Sequence, residues 1–338
     1  MRNAPGLYYH RPMKAFAISQ FGASPDLVDL PLPVPAPGEV RVRIAACGLN
    51  FADLLMIEGR YQDRPTLPVT LGMELAGVVE ALGPGVTRPV PGARVAVYAG
   101  HGGLAEAGCF AADRCVTLPD HMPMTEAAGV LIAHGTSHLA LARRAHLQAG
   151  ETLLVLGAAG GVGLTAVEIG KLMGARVIAC ARGADKLAVA QAAGADHLID
   201  SDNDDIRKVV KSLGGADVVY DPVGGDQFKA AFRATNPEGR ILTIGFASGD
   251  VPQIPANILM VKNISVIGLN LGGYLTFAPQ ALSDSFAQLF GWYACGALRP
   301  HISATYPLGE AASALESLRA RKSTGKLVVT MPDFDHTP

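Results

Sequence analysis

The chain has 338 residues, 49% hydrophobic and only 17% charged, with 28 Lys and Arg against 30 Asp and Glu. That length predicts about two domains. The net charge of −2 excludes a basic nucleic-acid surface as the main business and excludes a highly charged disordered chain.

Along the chain, the first twelve residues, MRNAPGLYYHRP, show no apolar stretch of a secretory signal. The segments 13–19, 40–47, 74–82 and 93–97 alternate or run apolar with Val and Ile between Gly and Pro, which predicts strands. Residues 31–39, PLPVPAPGE, form a proline-stiffened connector, and FADLLMI at 51–57 reads as a helix that Asn50 could cap. Near Thr125 the pattern changes. Residues 125–145 read as one helix, and from 152 strands and helices alternate: strands at 152–157, 176–181, 197–200, 216–221, 239–245 and 263–269, with helices at 162–175, 184–195, 204–214 and 225–236 between the first five. Six strands joined by crossovers of helical length predict a parallel, doubly wound sheet, because a parallel pair needs a long connection. The remainder offers helices at 279–295 and 308–320 and a last strand, KLVVT, and is expected to pack back on the first domain. The longest charge-free stretch, 263–283, holds Asn270, Gly272, Gly273 and Pro279 and reads as strand, loop and helix start, not as a membrane span. Cys47, Cys109, Cys115, Cys180 and Cys295 form no C-x-x-C, so no disulfide framework is expected and a reducing, cytoplasmic setting is.

The strongest local signal is LLVLGAAGGVGLTAV. An apolar strand ends at Gly157, a helix starts near Gly161, and Ala159, Gly160, Val162 and Gly163 complete the turn. Glycines there let backbone N–H groups approach a pyrophosphate, and the helix N-terminus adds partial positive charge. A tight strand-to-helix turn alone would look similar, but the strands around it favour dinucleotide binding. The GxxxGxG spacing also fits short-chain dehydrogenases, but no Tyr here has a Lys four residues on. At the end of the next strand an NAD site places an acid. This chain has Ala181 and Arg182, with Lys186 one turn on, which favours the 2′-phosphate of NADPH.

The segment GLNFADLLMIEGRY…LPVTLGMELAGVVEALGPGV upstream of that glycine loop resembles the medium-chain dehydrogenase/reductase superfamily. With AAGGVG, DPVGG, the segment 239–245 and the closing GKLVV, it is similar to the zinc-free quinone oxidoreductase branch over roughly residues 13–330. The resemblance implies an α/β chain with a β-rich, GroES-like catalytic domain at 1–133 and 274–338 and a Rossmann NADPH-binding domain at 134–273. It implies nicotinamide near Gly245, Phe246, Leu269 and Asn270, with Thr136 and Lys326 also at the cofactor, in a cleft shared with the catalytic domain. Where zinc alcohol dehydrogenases carry a Cys and a His, this chain has Asn50 and Met73, poor ligands for Zn²⁺, so no metal is expected. Asn50 and Tyr61 stand where the quinone oxidoreductases carry substrate-side polar residues, and Tyr61 also matches the tyrosine proposed as proton donor in related enoyl thioester reductases.

The expected activity is hydride transfer from NADPH to a quinone or an α,β-unsaturated carbonyl. The expected partners are that small molecule and a second copy of the chain joined through the edge strand NISVIGL, with neither nucleic acid nor membrane. An enoyl thioester reductase is the alternative, with Arg60 and Arg64 as a thin basic entrance; a non-catalytic NADPH-binding protein is a further one. The chain departs from the branch at Ser201: some bacterial members place a Tyr there for the 2′-phosphate, whereas Ser201 lies between Asp200 and Asp202.

Overall fold

The computed structural model describes residues 12–332 and 334. The reading of residues 1–11 lies outside them. The elements begin with β1 (Met13–Ile18), β2 (Asp26–Leu30), β3 (Glu39–Gly48), α1 (Phe51–Ile57), β4 (Val69–Thr70), β5 (Glu74–Leu82), β6 (Arg94–Tyr98), β7 (Ala107–Ala111), β8 (Cys115–Thr117) and α2 (Met124–Ala127). They continue with α3 (Ala133–His138), β9 (Thr152–Leu156), α4 (Gly161–Leu172), β10 (Arg176–Ala181), α5 (Ala184–Ala192), β11 (His197–Asp200), α6 (Ile206–Ser212), β12 (Ala216–Asp221), α7 (Gly225–Ala234) and β13 (Thr235–Thr243). Last come α8 (Ala256–Lys262), β14 (Ser265–Gly268), α9 (Leu271–Phe277), α10 (Pro279–Ala294), β15 (Ile302–Pro307), α11 (Ala311–Arg319) and β16 (Lys326–Thr330).

The chain divides into two compact units, 1–129 with 304–322 and 327–338, and 130–303 with 323–326. In the first unit a small sheet runs β2-β1-β4, and a larger one runs β15-β16-β3-β5-β6-β8, with β7 on β3. Strand β3 shows the period of two that a half-buried antiparallel sheet demands. Val40, Val42 and Ile44 are buried, while Arg41 and Arg43 point out and meet Glu80 at 3.3 and 3.5 Å.

The second unit holds a parallel sheet in the order β11-β10-β9-β12-β13-β14. Leu154, Ile178, Val219 and Ile241 are fully buried in its centre. Covered on both faces, such strands read as continuous apolar runs, which is why TLLVL and RVIACA were legible.

Two expectations meet a different arrangement. Residues 125–145 do not form one helix: α2 ends at Ala127, α3 spans six residues, and Leu139–Arg144 is π-helical. Gly129 is a weak helix former at the first break, and Ala145 N donates to Ala140 O five residues back in the widened turn. The expected boundaries at 133/134 and 273/274 fall instead at 129/130 and after 303. The reason lies in α10, which packs on α3. A methyl built on Gly135 would stand 2.9 Å from the Phe286 ring, and His138 Nδ1 lies 2.7 Å from Ser285 Oγ. No helix among the described residues is long and apolar enough to cross a membrane.

Candidate functional site

The nucleotide-side residues gather in the second unit. Strand β9 ends at Leu156, Gly157 turns with φ +58°, and α4 starts at Gly161. A methyl on Gly163 would lie 2.1 Å from Gly157 O, so only glycine lets helix and strand come this close. The helix N-cap is Gly160, which has no side chain to cap the first-turn N–H groups. That is the cradle a diphosphate fits, since N–H groups and the dipole both favour negative charge there.

Its surroundings come from distant parts of the chain. Gly325 N donates to Ala159 O at 2.8 Å. The next residue, Lys326, is only 3% exposed, and its Cδ would lie 3.6 Å from a methyl on Gly161, so a buried ammonium stem runs beside the loop. On the helix side Ser137 Oγ meets Val162 O at 3.0 Å, Thr165 Oγ1 at 2.8 Å and the fully buried Tyr220 hydroxyl at 2.9 Å, pinning the start of α4 to α3 beside Thr136. Thr136 is itself buried within α3.

At the sheet's carboxyl edge, Ala247 N donates to Pro222 O and Leu269 N to Thr243 O. Phe246 is exposed. Asn270 caps α9, its Oδ1 accepting from Gly272 N at 3.1 Å. Beneath them Asp221 is fully buried, and its Oδ1 accepts from Val223 N and Gly224 N at 2.8 and 2.9 Å. Burial pushes its carboxyl up despite those two bonds.

Arg182 and Lys186 follow β10 as the sequence implies, but Arg182 is engaged: its Nε lies 3.2 Å from Asp202 Oδ1. The parallel register sets Ala181 beside Asp200, so the residues after both strands are neighbours.

Of the two residues expected on the acceptor side, both in the first unit, Asn50 opens α1, and its N–H donates to Asp53 Oδ2 at 2.8 Å. Its amide nitrogen donates to Glu74 Oε1 at 3.0 Å and to Gly48 O at 3.3 Å. An amide has two hydrogens to give, so the expected acceptor-side donor spends both inside the unit and fixes the fully buried Glu74. Tyr61 keeps a phenol of a different kind. Burial, then the charges of Asp63 and Asp53, push it up to about 12, against a smaller lowering by the Tyr98 hydroxyl that hydrogen-bonds it. Tyr98 is buried and also raised, chiefly by desolvation.

Sequence reasoning missed Tyr98 and Glu74. Part of the signal existed, since Glu74 lies on a predicted strand and Tyr98 follows directly after one, and the antiparallel register puts them directly opposite. Arg60 is paired with Glu58 at 3.0 Å, which weakens a basic entrance for a thioester carrier. Met73 is buried. Among the described residues no three His, Cys, Asp or Glu side chains gather as a metal site, and all five cysteines are free.

Comparisons with known proteins agree with this layout. Residues 36–130 match the alcohol dehydrogenase GroES-like domain and residues 161–288 the zinc-binding dehydrogenase family. A quinone oxidoreductase-like protein 2 homolog of Nematostella vectensis is 40% identical over 297 residues, 86% of this chain and 81% of that one. A quinone oxidoreductase of Pseudomonas aeruginosa is 37% identical over 296 residues, 86% of this chain and 90% of its own. The crystal structure of the quinone oxidoreductase of Thermus thermophilus, also solved as its complex with NADPH, superposes with a TM-score of 0.84 at 34% identity, covering 94% of this chain and all of that one. The two-part fold, the glycine cradle and these relatives together make the chain a member of the quinone oxidoreductase branch of the medium-chain dehydrogenase/reductase superfamily.

Proposed function

We propose that this protein transfers hydride from NADPH to a quinone or an α,β-unsaturated carbonyl without a metal ion. The observation that carries it is the α4 N-terminus without a side-chain cap above a glycine cradle, with a buried lysine stem alongside. Solved relatives bound to NADPH support the choice of nucleotide.

When bound, the cofactor supplies the hydride; everything else falls to this chain. The amides of Gly161, Val162 and Gly163 take the diphosphate, with Gly157, Ala159 and Gly160 shaping the approach and Lys326 adding charge. Thr136, Gly245, Phe246, Leu269 and Asn270 hold the nicotinamide end. Arg182 and Lys186 meet the 2′-phosphate. Oxygen on the acceptor gains charge as hydride arrives, and preorganised donors stabilise it. Tyr61 is that donor. Its acidity is so suppressed that it keeps its proton throughout the physiological range, and Tyr98 orients its hydroxyl. Asn50 acts one step back, by holding Glu74 opposite Tyr98. A quinone or enone needs no Lewis acid, because its reduced oxygen is already delocalised. Met73 and an Asn50 amide bound to Glu74 make a poor zinc shell.

In this reading catalysis falls to the GroES-like part and nucleotide binding to the unit with the parallel sheet. A homodimer through β14 belongs to the same proposal: it is an edge strand, and Met260 and Val261 of the preceding helix are 73% and 76% exposed. A reducing, cytoplasmic setting fits the free cysteines.

The test is steady-state NADPH oxidation with 1,4-benzoquinone, 9,10-phenanthrenequinone, a simple enone and crotonyl-CoA, alongside zinc analysis of tag-free protein. Turnover of a quinone or the enone with well under one Zn per chain is expected. Crotonyl-CoA alone as substrate would select the thioester reductase, and no turnover with tight NADPH binding would select a binding role.

A further inference from the structure

The loop between β11 and α6, SDNDD, follows the strand paired with β10, after which Arg182 stands. Two donors there already have partners. The Arg182 guanidinium sits on Asp202, Nε to Oδ1 3.2 Å, and Gly183 N donates to Asp200 Oδ1 at 3.1 Å. Asp200 is locked in turn by Asp202 N at 3.2 Å and Asn203 Nδ2 at 2.8 Å, and its own N–H donates to Asp204. The Gly183 N–H, with the other two donors, holds the Asp200 carboxyl below its usual range, so it stays charged. Asp205, the fourth acid, is turned away onto the start of α6, where it accepts from Lys208 N. Arg182 therefore meets the Asp202 carboxylate, while Asp200 takes the N–H of the residue next to it, Gly183.

We propose that Asp202 is the specificity-determining residue of the nucleotide site: it holds Arg182 when no 2′-phosphate is present and keeps the preference for NADPH over NADH narrow. This rests on the reading of the second unit as a nicotinamide dinucleotide site. Binding NADPH exchanges the Asp202 carboxylate for a phosphate on the same guanidinium and leaves the displaced carboxylate near a second anion. Binding NADH requires no such exchange. The pair is solvated, with side chains 64% and 53% exposed, so the exchange is feasible and its penalty modest. Asp200 adds to it by occupying the Gly183 N–H, a backbone donor that could otherwise serve an anion at the start of α5.

The test is direct binding of NADPH and NADH to wild type, Asp202→Asn, Arg182→Ala and the double variant, read by calorimetry or by nucleotide fluorescence in the absence of any acceptor. Asp202→Asn keeps the size of the side chain and removes its charge. It is expected to tighten NADPH by about three- to fivefold, the scale of one exposed ion pair, while NADH affinity stays within twofold. In the Arg182→Ala background the same change should do less, because the two residues act through one contact. A NADPH-to-NADH preference that rises less than threefold in Asp202→Asn, or an equal gain with and without Arg182, overturns the inference while leaving nucleotide binding intact. Wild-type protein that binds neither nucleotide overturns the underlying reading as well.

Discussion

In the second unit the recognisable chemistry is carried by main chain: a glycine turn, the amides opening α4, and strand ends aligned by parallel register. In the first unit it is carried by side chains, with a phenol among Asp53, Asp63 and a second tyrosine. The difference is one of tolerance. Backbone donors do not depend on which side chains surround them, but they fail when a Cβ intrudes. A side-chain donor tolerates modest rearrangement of its support and fails when one oxygen is removed. Substitutions in the two regions should therefore leave different signatures, one in stability and affinity together, the other in turnover alone.

The largest effect is expected at Gly163. Valine there would drive its Cβ to 2.1 Å from Gly157 O. Overpacking against backbone should cost about 3 kcal/mol of unfolding free energy in a urea titration, and NADPH affinity should fall in parallel. A variant with wild-type stability and lost affinity would mean that the glycine serves the nucleotide rather than helix–strand contact.

Next comes Tyr61→Phe, which removes one hydroxyl. The kcat with an enone should drop about 10²-fold with KM nearly unchanged, whereas a quinone, whose reduced anion is already stabilised, should lose less. Equal small losses on both acceptors would make Tyr61 a packing residue.

A smaller effect probes the support of the parallel sheet. Arg240 grips Glu151 with both arms, Nη1–Oε1 2.7 Å and Nη2–Oε2 2.8 Å. The guanidinium hydrogen bonds hold the Glu151 carboxyl below its usual range. A depressed carboxyl stabilises the fold above its unfolded-state pKa and loses that contribution as pH falls through the folded value. Glu151→Gln should thus lower stability by about 1 kcal/mol near neutrality for this partly exposed pair, and the gap from wild type should close in the acid range, below about pH 4. A gap that stays constant with pH would assign the effect to packing.

The smallest expected change is none at all. With the Tyr61 phenol at about 12, the kcat profile on an enone should show no alkaline limb from this residue between pH 8 and about pH 10.5, where a solvated phenol would already be titrating. A limb centred near 10 would mean that Tyr61 is solvated and not a buried donor.

The same contrast governs what the sequence could reveal. Central strands of the parallel sheet, TLLVL and RVIACA, were readable because burial on both faces writes them as apolar runs, and the glycine loop because its glycines are forced by backbone contact. Strand β15, alternating half-buried and exposed along ISATYP, and β7, built from AGCFA, lack that emphasis. The break in 125–145 escaped because an apolar period does not register a widened turn. In the first unit Asn50 was visible as a polar residue, but its use was not. Its partner Glu74 lies twenty-four residues away on another strand, and only the fold shows that both amide hydrogens are spent. Arg182 was similarly visible as a charge, while its pairing with Asp202 depends on the register of β10 against β11.

The bond from Gly325 N to Ala159 O and the Lys326 stem beside Gly161 have a consequence for biosynthesis. The turn that opens α4 is made early, yet part of its wall is contributed by residues that leave the ribosome long after β14, the last strand of the sheet. A nascent chain can form the parallel sheet and still present an incomplete nucleotide cradle until the start of β16 arrives. A chain that ends before Ser323 would lack both Gly325 and Lys326, and with them that part of the cradle's wall.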